Sequence, residues 1–244
     1  STNSFNYGDV YIGEKSYSDV ISLTNTGTDG LTIESVDMPQ GVSLTFSPSD
    51  VNLGRYESLD FQVAYSAAMT TPAKGDVVFH TNGGDVTLAL SATKKAVPEG
   101  GMFEGFEAYY PPAGWKSEGW NWTTRPIEGD HSVYCDGGYS NSYLTSPRLD
   151  LTNGGTVAFT YYNNYDGDEA PYYDIEMQVS YDGGKSWKKK WVTEDKNLNQ
   201  MLTTEVELDK GGDNCYVRWY YPIVETDDYG AMEHTIFTLD RVVL

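Results

Sequence analysis

Residues 174–187 read DIEMQVSYDGGKSW, and their pattern decides the fold. Tyr173, Ile175, Met177 and Val179 alternate with Asp174, Glu176, Gln178 and Ser180, the period-two signature of a half-buried strand. The strand runs straight into Ser180-x-Asp182-x-Gly184-x-Ser186-Trp187, a tight hairpin in which glycines supply positive φ and Asp182 bonds the turn backbone. Trp187 is expected to pack inward beneath it. Three further runs have the same period: Val157, Phe159 and Tyr161; Val217, Trp219 and Tyr221; and the C-terminal TIFTLDRVVL. The expectation is an all-β chain in which this hairpin joins two antiparallel strands.

The hairpin spacing resembles the Asp-box of sialidase-like β-propellers. A propeller repeats its blade about every 40–50 residues, and no second copy of the motif stands in this sequence. The propeller is excluded, and no stretch has useful helical periodicity.

Upstream, residues 1–94 alternate in the same way: Val42, Leu44, Phe46; Leu59, Phe61, Val63, Tyr65; Val77, Phe79; Val86, Leu88, Leu90. The last two runs flank Asn82-Gly83-Gly84, a strong hairpin signal. KKAVPEGG (94–101) carries Pro and paired Gly and marks a seam, so residues 1–94 are read as one domain, 95–101 as a linker and 102–244 as a second domain. Net charge is −7 in the first part and −13 in the second, and all six Trp lie in the second. That asymmetry points to the second part as the one carrying a function.

The formal charge of −20 makes nucleic acid and anionic membrane surfaces poor partners, because both require clustered Lys and Arg. The bland reading of the charge is solubility. No apolar run approaches the roughly 18–20 residues of a membrane span, and no apolar export segment stands near Ser1. No membrane insertion by this segment is expected.

FNYGDVYIG (5–13) and ISLTNTGTDGLTIESVDMPQGVSLTFSPSDVNLG (21–54), closing on VTLALSAT (86–93), resemble the hydin-type (ASH) immunoglobulin-like domains. Leu23-Thr24-Asn25-Thr26-Gly27 is the most specific element. The resemblance implies an Ig-like β-sandwich serving as a spacer or a protein-contact module.

In the second part, FEGFEAYYPPAGW (103–115) is followed by a Trp-rich loop and by GDHSVYCDGGYSNSYLTSPRLDL (129–151). The Ser-x-Asp-Gly-Gly hairpin, CYVRWYY (215–221) and a terminal Leu-Asp-x-Val complete a series similar to the cleaved-adhesin, or choice-of-anchor J, jelly rolls related to MAM domains. These occur in exported surface proteins of Bacteroidetes. The resemblance implies a jelly-roll β-sandwich that binds carbohydrate or protein, is secreted or displayed at the cell surface, and holds calcium. Carried over residue by residue, the calcium ligands are Glu107 and Asp240, with Arg241 standing where relatives have a second Asp. The alternative is that these two acids bond backbone amides or Arg241. Two acidic loops, Asp166-Gly167-Asp168-Glu169 and Glu225 with Asp227-Asp228, lack EF-hand spacing.

Sugar rings stack their C–H faces on aromatic side chains, while hydroxyls seek carboxylates and amides. EGWNWTTR, GGYSNSY and YYNNYDGDEAPYY mix these residue types. Trp120, Tyr139, Tyr143, Tyr165 and Tyr172 are the candidates for exposed ligand contact, whereas Trp115 belongs to the core. Aromatic cores are the competing explanation for all of them.

Catalytic patterns are missing from the sequence. His80, His131 and His234 lack metal-ligand spacing, no Gly-x-Ser-x-Gly elbow or phosphate loop appears, and neither Cys135 nor Cys215 sits in a protease signature. Both cysteines are placed to point inward, compatible with a disulfide or with two buried thiols. The expectation is a non-catalytic binding or adhesion protein recognising glycan or extracellular protein; the alternative is a structural spacer within a larger surface peptidase or anchored protein.

Overall fold

Alternation becomes strand pairing in the computed structural model, which describes residues 3–136, 141–165, 175–193, 199–222 and 235–244. The chain is all-β and divides into two units, Ser1–Val97 and Pro98–Leu244.

The first unit has ten strands: β1 (Ser4–Tyr11), β2 (Lys15–Tyr17), β3 (Ile21–Thr24), β4 (Leu31–Asp37), β5 (Val42–Leu44), β6 (Asn52–Leu53), β7 (Ser58–Phe61), β8 (Val63–Ser66), β9 (Lys74–Thr81) and β10 (Gly84–Lys95). A five-stranded sheet in the order β1-β10-β9-β4-β6 accompanies a three-stranded sheet, β2-β8-β5, and the pair β3-β7. Phe61 and Val63 pack with Val77, Phe79, Leu88 and Leu90 in one core. Gly84 pairs with Thr81, so Asn82 and Gly83 make the turn between β9 and β10. Val86 lies beside that turn and stays 42% exposed although it shares the period of Leu88 and Leu90.

Asn25 shows why the LTNTG stretch has the residues it has. It is 3% exposed, and its amide nitrogen donates to the carbonyls of Asp29 (2.7 Å) and Leu53 (2.9 Å). Its Oδ1 accepts from the Gly27 N–H at 2.9 Å. One buried amide thereby ties two loops together, with its polar atoms satisfied as burial demands.

Among the described residues the second unit has eleven strands: β11 (Phe103–Glu104), β12 (Lys116–Glu118), β13 (Asn121–Thr123), β14 (Ser132–Cys135), β15 (Ser142–Thr145), β16 (Gly155–Tyr165), β17 (Glu176–Ser180), β18 (Lys188–Val192), β19 (Met201–Leu208), β20 (Tyr216–Tyr221) and β21 (Thr235–Val243). One sheet runs β13-β14-β21-β16-β19, with β11 on β21; the other runs β12-β15-β20-β17-β18. Between them lies a core whose members Val157, Phe159, Phe237 and Leu239 come from the first sheet and Leu144, Met177, Val217 and Trp219 from the second. Trp219 stacks on Trp115 at 6.1 Å and meets Phe159 edge-on at 5.3 Å. Such ring pairs add roughly 0.5–1.5 kcal/mol each beyond area burial. Cys135 and Cys215 are both buried and form no disulfide; the Cys215 Sγ donates to the Gly212 carbonyl at 3.3 Å.

Candidate functional site: an aromatic platform around Arg218

If one face of a strand is buried, the residues between point the other way. On β20, Val217, Trp219 and Tyr221 are fully buried, which leaves Tyr216, Arg218 and Tyr220 on the outer face. Register then fixes their neighbours. Tyr220 lies opposite Tyr143 of β15 on one side and Glu176 of β17 on the other; Arg218 lies between Thr145 and Gln178. The outer face of the second sheet therefore carries two adjacent rows of polar and aromatic side chains.

The rings of Tyr143 and Tyr220 stack at 5.1 Å with an interplanar angle of 11°, a half-exposed pair of parallel rings. The Tyr220 hydroxyl donates to the Asn141 side-chain oxygen at 2.9 Å. Arg218 holds its guanidinium carbon 4.4 Å from the Tyr143 ring centre and 4.1 Å from that of Trp187. Its Nε donates to Gln178 Oε1 at 2.7 Å, and Gln178 Nε2 donates in turn to Glu176 Oε2. Lys189 Nζ reaches Glu176 Oε1 at 2.8 Å. Partial burial lowers the Arg218 pKa from its usual value and raises that of the Tyr220 phenol, the latter helped by its neighbour Tyr143.

The hairpin opened above holds Trp187 in place. Gly183 and Gly184 have φ of 78° and 86°. Asp182 Oδ1 accepts from the backbone N–H of Lys185 (3.0 Å) and Ser186 (2.9 Å) and from the Ser180 hydroxyl (2.8 Å). Ser180 Oγ accepts from the Gly184 N–H at 2.8 Å. These bonds, the Ser186 hydroxyl first, hold the exposed Asp182 carboxyl well below the usual carboxylate range. The expectation that Trp187 packs inward is corrected. The side chain is half-buried against Arg218, outside the core cluster, because Trp191 fills the core position, meeting Phe159 at 5.1 Å and Tyr161 at 5.0 Å.

A second polar cluster joins the start of this unit to its end. Asp240, on β21, is 1% exposed. Its Oδ2 accepts from the Ser132 hydroxyl (2.7 Å) and the Glu128 N–H (3.1 Å), and its Oδ1 from the Arg241 N–H (2.7 Å). Glu107 accepts from the Asp130 N–H through both oxygens, at 3.1 and 2.9 Å, and from the His131 N–H at 3.4 Å. The two carboxylates thus grip one turn, and the Glu107 charge acts on Asp240. Burial first, and Glu107 after it, push the Asp240 pKa up to about 8. Calcium needs about 6–8 oxygen ligands. Two carboxylates meet that chemistry in part, and among the described residues no group of three or more His, Cys, Asp or Glu converges on one point.

Of the aromatic residues singled out from sequence, Tyr143 lies in the platform. Trp120 does not: it is 3% exposed, with Phe237 edge-on at 6.0 Å. Gly119, with φ of 74°, turns the chain so that Trp120 enters the core; a Cβ at Gly119 would stand 2.1 Å from Ser142 Oγ. Tyr139 and Tyr172, both acidic loops and His234 lie outside the described residues, as does the Tyr165 side chain at the end of β16. Arg218, Tyr220, Trp187, Gln178 and Glu176 were not singled out. The signal that finds them is YVRWYY itself, whose buried residues leave Tyr-x-Arg-x-Tyr on the opposite face.

No protein-family model and no curated protein matches the chain. Among solved structures, it is similar to the K1 cleaved adhesin domain of Lys-gingipain from Porphyromonas gingivalis W83, at 22% identity and a TM-score of 0.42, over 59% of this chain and 96% of that one. TmCBM61, solved in complex with β-1,4-galactotriose, is similar at 14% identity and a TM-score of 0.40, over 57% and 93%. The CBM22-1 xylan-binding domain of Paenibacillus barcinonensis Xyn10C is similar at 13% and 0.38, over 58% and 91%. These likenesses are of fold: β-sandwich jelly rolls.

Proposed function

We propose that this chain is a non-catalytic, extracellular binding protein whose second unit recognises glycan on the outer face of its β12-β15-β20-β17-β18 sheet. The observation that carries the reading is the stacked Tyr143–Tyr220 pair, half-exposed and bordered by Arg218, Asn141 and Gln178. Half-exposed aromatic rings offer contact to the C–H face of a pyranose, and the surrounding amides and guanidinium suit its hydroxyls. The first unit serves as a spacer of the hydin type, a reading that rests on its sequence. Calcium at Glu107 and Asp240 is part of the proposal as a stabiliser of the junction: backbone carbonyls and water would complete the shell, and a divalent cation would balance two neighbouring carboxylates.

The test is a glycan-array screen of the full chain with calcium present, followed by titration of the hits. Saturable binding that falls at least about ten-fold in Tyr143→Ala and in Tyr220→Ala is the expected result. Silence across the array from a folded protein, or binding indifferent to both substitutions, overturns the assignment and returns the chain to a spacer or accessory role.

A further inference from the structure

Arg218 is the one group in the platform whose arrangement asks for a particular ligand. Its single hydrogen bond among the described residues uses Nε, taken by Gln178 Oε1 at 2.7 Å. The terminal Nη groups, at the far edge of the guanidinium, have no acceptor among the described residues. Yet a carboxylate stands nearby. Glu176 neighbours Arg218 diagonally across the β17–β20 pair, and both its oxygens are already engaged, Oε1 by Lys189 and Oε2 by Gln178. Gln178 is 8% exposed and bonded on both sides, so it holds the guanidinium and the carboxylate apart. The chain Lys189–Glu176–Gln178–Arg218 satisfies every polar group along it and ends in an unspent two-pronged donor.

The aromatic neighbours make that donor rigid. Trp187, Tyr143 and Tyr220 place ring centres 4.1, 4.4 and 5.5 Å from the guanidinium carbon, which fixes a flexible side chain before any ligand arrives. Preorganisation of this kind removes an ordering cost from binding. An arginine fork held in plane matches a flat carboxylate through two parallel N–H···O bonds, which a lysine cannot reproduce. The surroundings agree in charge. On the same face Lys116 stands in the cross-strand row of Arg218 and Glu118 in that of Tyr143, while Lys189 offsets Glu176, so Arg218 is left as the cation that offers an anion a receptor.

We infer that Arg218 receives a sugar carboxylate, so that the ligand of the platform is an acidic glycan whose ring lies on Tyr143 and Tyr220. This rests on the platform being a glycan site. It goes further in naming the ligand class and the group that selects it.

The experiment uses the full chain and three matched pairs, titrated calorimetrically: trigalacturonic acid and its methyl ester, a hyaluronan tetrasaccharide and its methyl ester, and sialyllactose and lactose. The result expected is that at least one acid binds ten-fold or more tightly than its neutral counterpart; which pair responds separates uronate from sialate. Arg218→Lys keeps the charge but loses the fork, and is expected to weaken that acid at least about ten-fold and its neutral member by much less. Equal binding of acid and neutral members, lost on Tyr143→Ala, overturns the carboxylate inference and leaves the glycan platform standing. An acid preference unchanged in Arg218→Lys overturns the assignment to Arg218. Failure of all six to bind overturns the inference, and the array screen then decides the platform separately. The acid-to-neutral comparison needs only the wild-type chain, so it holds even where a variant fails to fold.

Discussion

Asp182 and Asp240 accept similar hydrogen bonds and titrate in opposite directions. Asp182 takes two backbone N–H groups and two serine hydroxyls, Asp240 two backbone N–H groups and one serine hydroxyl, and every one of those bonds favours the ionised form. Asp182 sits on an exposed hairpin, so the bonds prevail and its pKa falls. Asp240 is sealed under the 127–132 turn with Glu107 near it; desolvation prevails and its pKa rises to about 8. Hydrogen-bond inventories therefore do not give the sign of a shift; access of water does. The hairpin carboxylate is a staple that works when charged, whereas the junction carboxylate is most comfortable when something, a proton or a cation, offsets its charge.

The largest test of that contrast is Asp240→Asn. The native pKa lies above the unfolded value of 3.8, so the folded protein holds the extra proton between about pH 4 and pH 8. Stability is then fully present below about pH 4 and drains as pH rises towards 8, by at most about 6 kcal/mol. Urea unfolding in chelator at pH 5, 7 and 9 is expected to show this decline in the wild type and a much flatter profile in Asp240→Asn. Parallel profiles would sink the account. Calcium at pH 9 is expected to restore the wild type and leave the variant unchanged, and an identical wild-type curve with calcium and with chelator would remove the ion from the junction.

Ser132→Ala comes next. Ser132 is fully buried, donates to Asp240 and accepts from the Ile127 N–H at 2.8 Å, so its loss strands two partners at about 1–3 kcal/mol. The pH profile should also extend upwards, because a bond that favours ionisation is gone.

Asp182→Asn is expected to act in the opposite pH direction and more weakly. A depressed pKa contributes stability above the ordinary carboxylate range that is lost as pH falls, so the wild type should lose more melting temperature between pH 5 and pH 3 than the variant does. Equal losses would mean that the hairpin charge has no bearing on the fold.

The smallest effect belongs to His80 in the first unit, exposed and bonded by Asp85 at 2.8 Å and Asp37 at 3.2 Å. Its pKa is raised, by Asp85 first and Asp37 next, so the contribution is present at acid pH and fades as pH rises through the folded value. NMR titration should place its midpoint above 6.5, with Asp85→Asn lowering it more than Asp37→Asn does. The reverse order would contradict the geometry.

How far these features are legible in the sequence follows from what each depends on. Ile175, Met177, Val179, Val157, Phe159, Val217, Trp219 and Tyr221 read correctly as inward residues because period two is a property of one strand alone. The turn chemistry of Asp182, and the Gly27 and Asp29 bonds of Asn25, were legible for the same reason, being closed within a few residues, whereas the Asn25 bond to Leu53 spans two loops. The platform depends on register between strands far apart in the chain: Tyr143 meets Tyr220 across 77 positions, and nothing local in GGYSNSY says so. Trp120 and Trp187 were placed on the wrong sides because an aromatic residue in a loop or beside a hairpin carries no period. Gly119 re-aims one, and Trp191 takes the inward place of the other. Glu107 and Asp240 do come to one turn and accept from backbone N–H groups, the alternative that the sequence left open beside calcium.

One feature of the pairing bears on how the two units would respond to being pulled. In the first, β1 and β10 are neighbours and parallel, so tension between the start of β1 and the end of β10 slides one strand along the other and loads their shared hydrogen bonds together. In the second, β11 is antiparallel to β21, with Phe103 opposite Val243, and Met102 and Leu244 exchange backbone bonds at 2.9 Å in each direction. Tension there peels the pair from its open end, one bond after another. The first unit is built as a shear clamp and the second as a zipper, so under load the second unit yields at its seam while its neighbour holds.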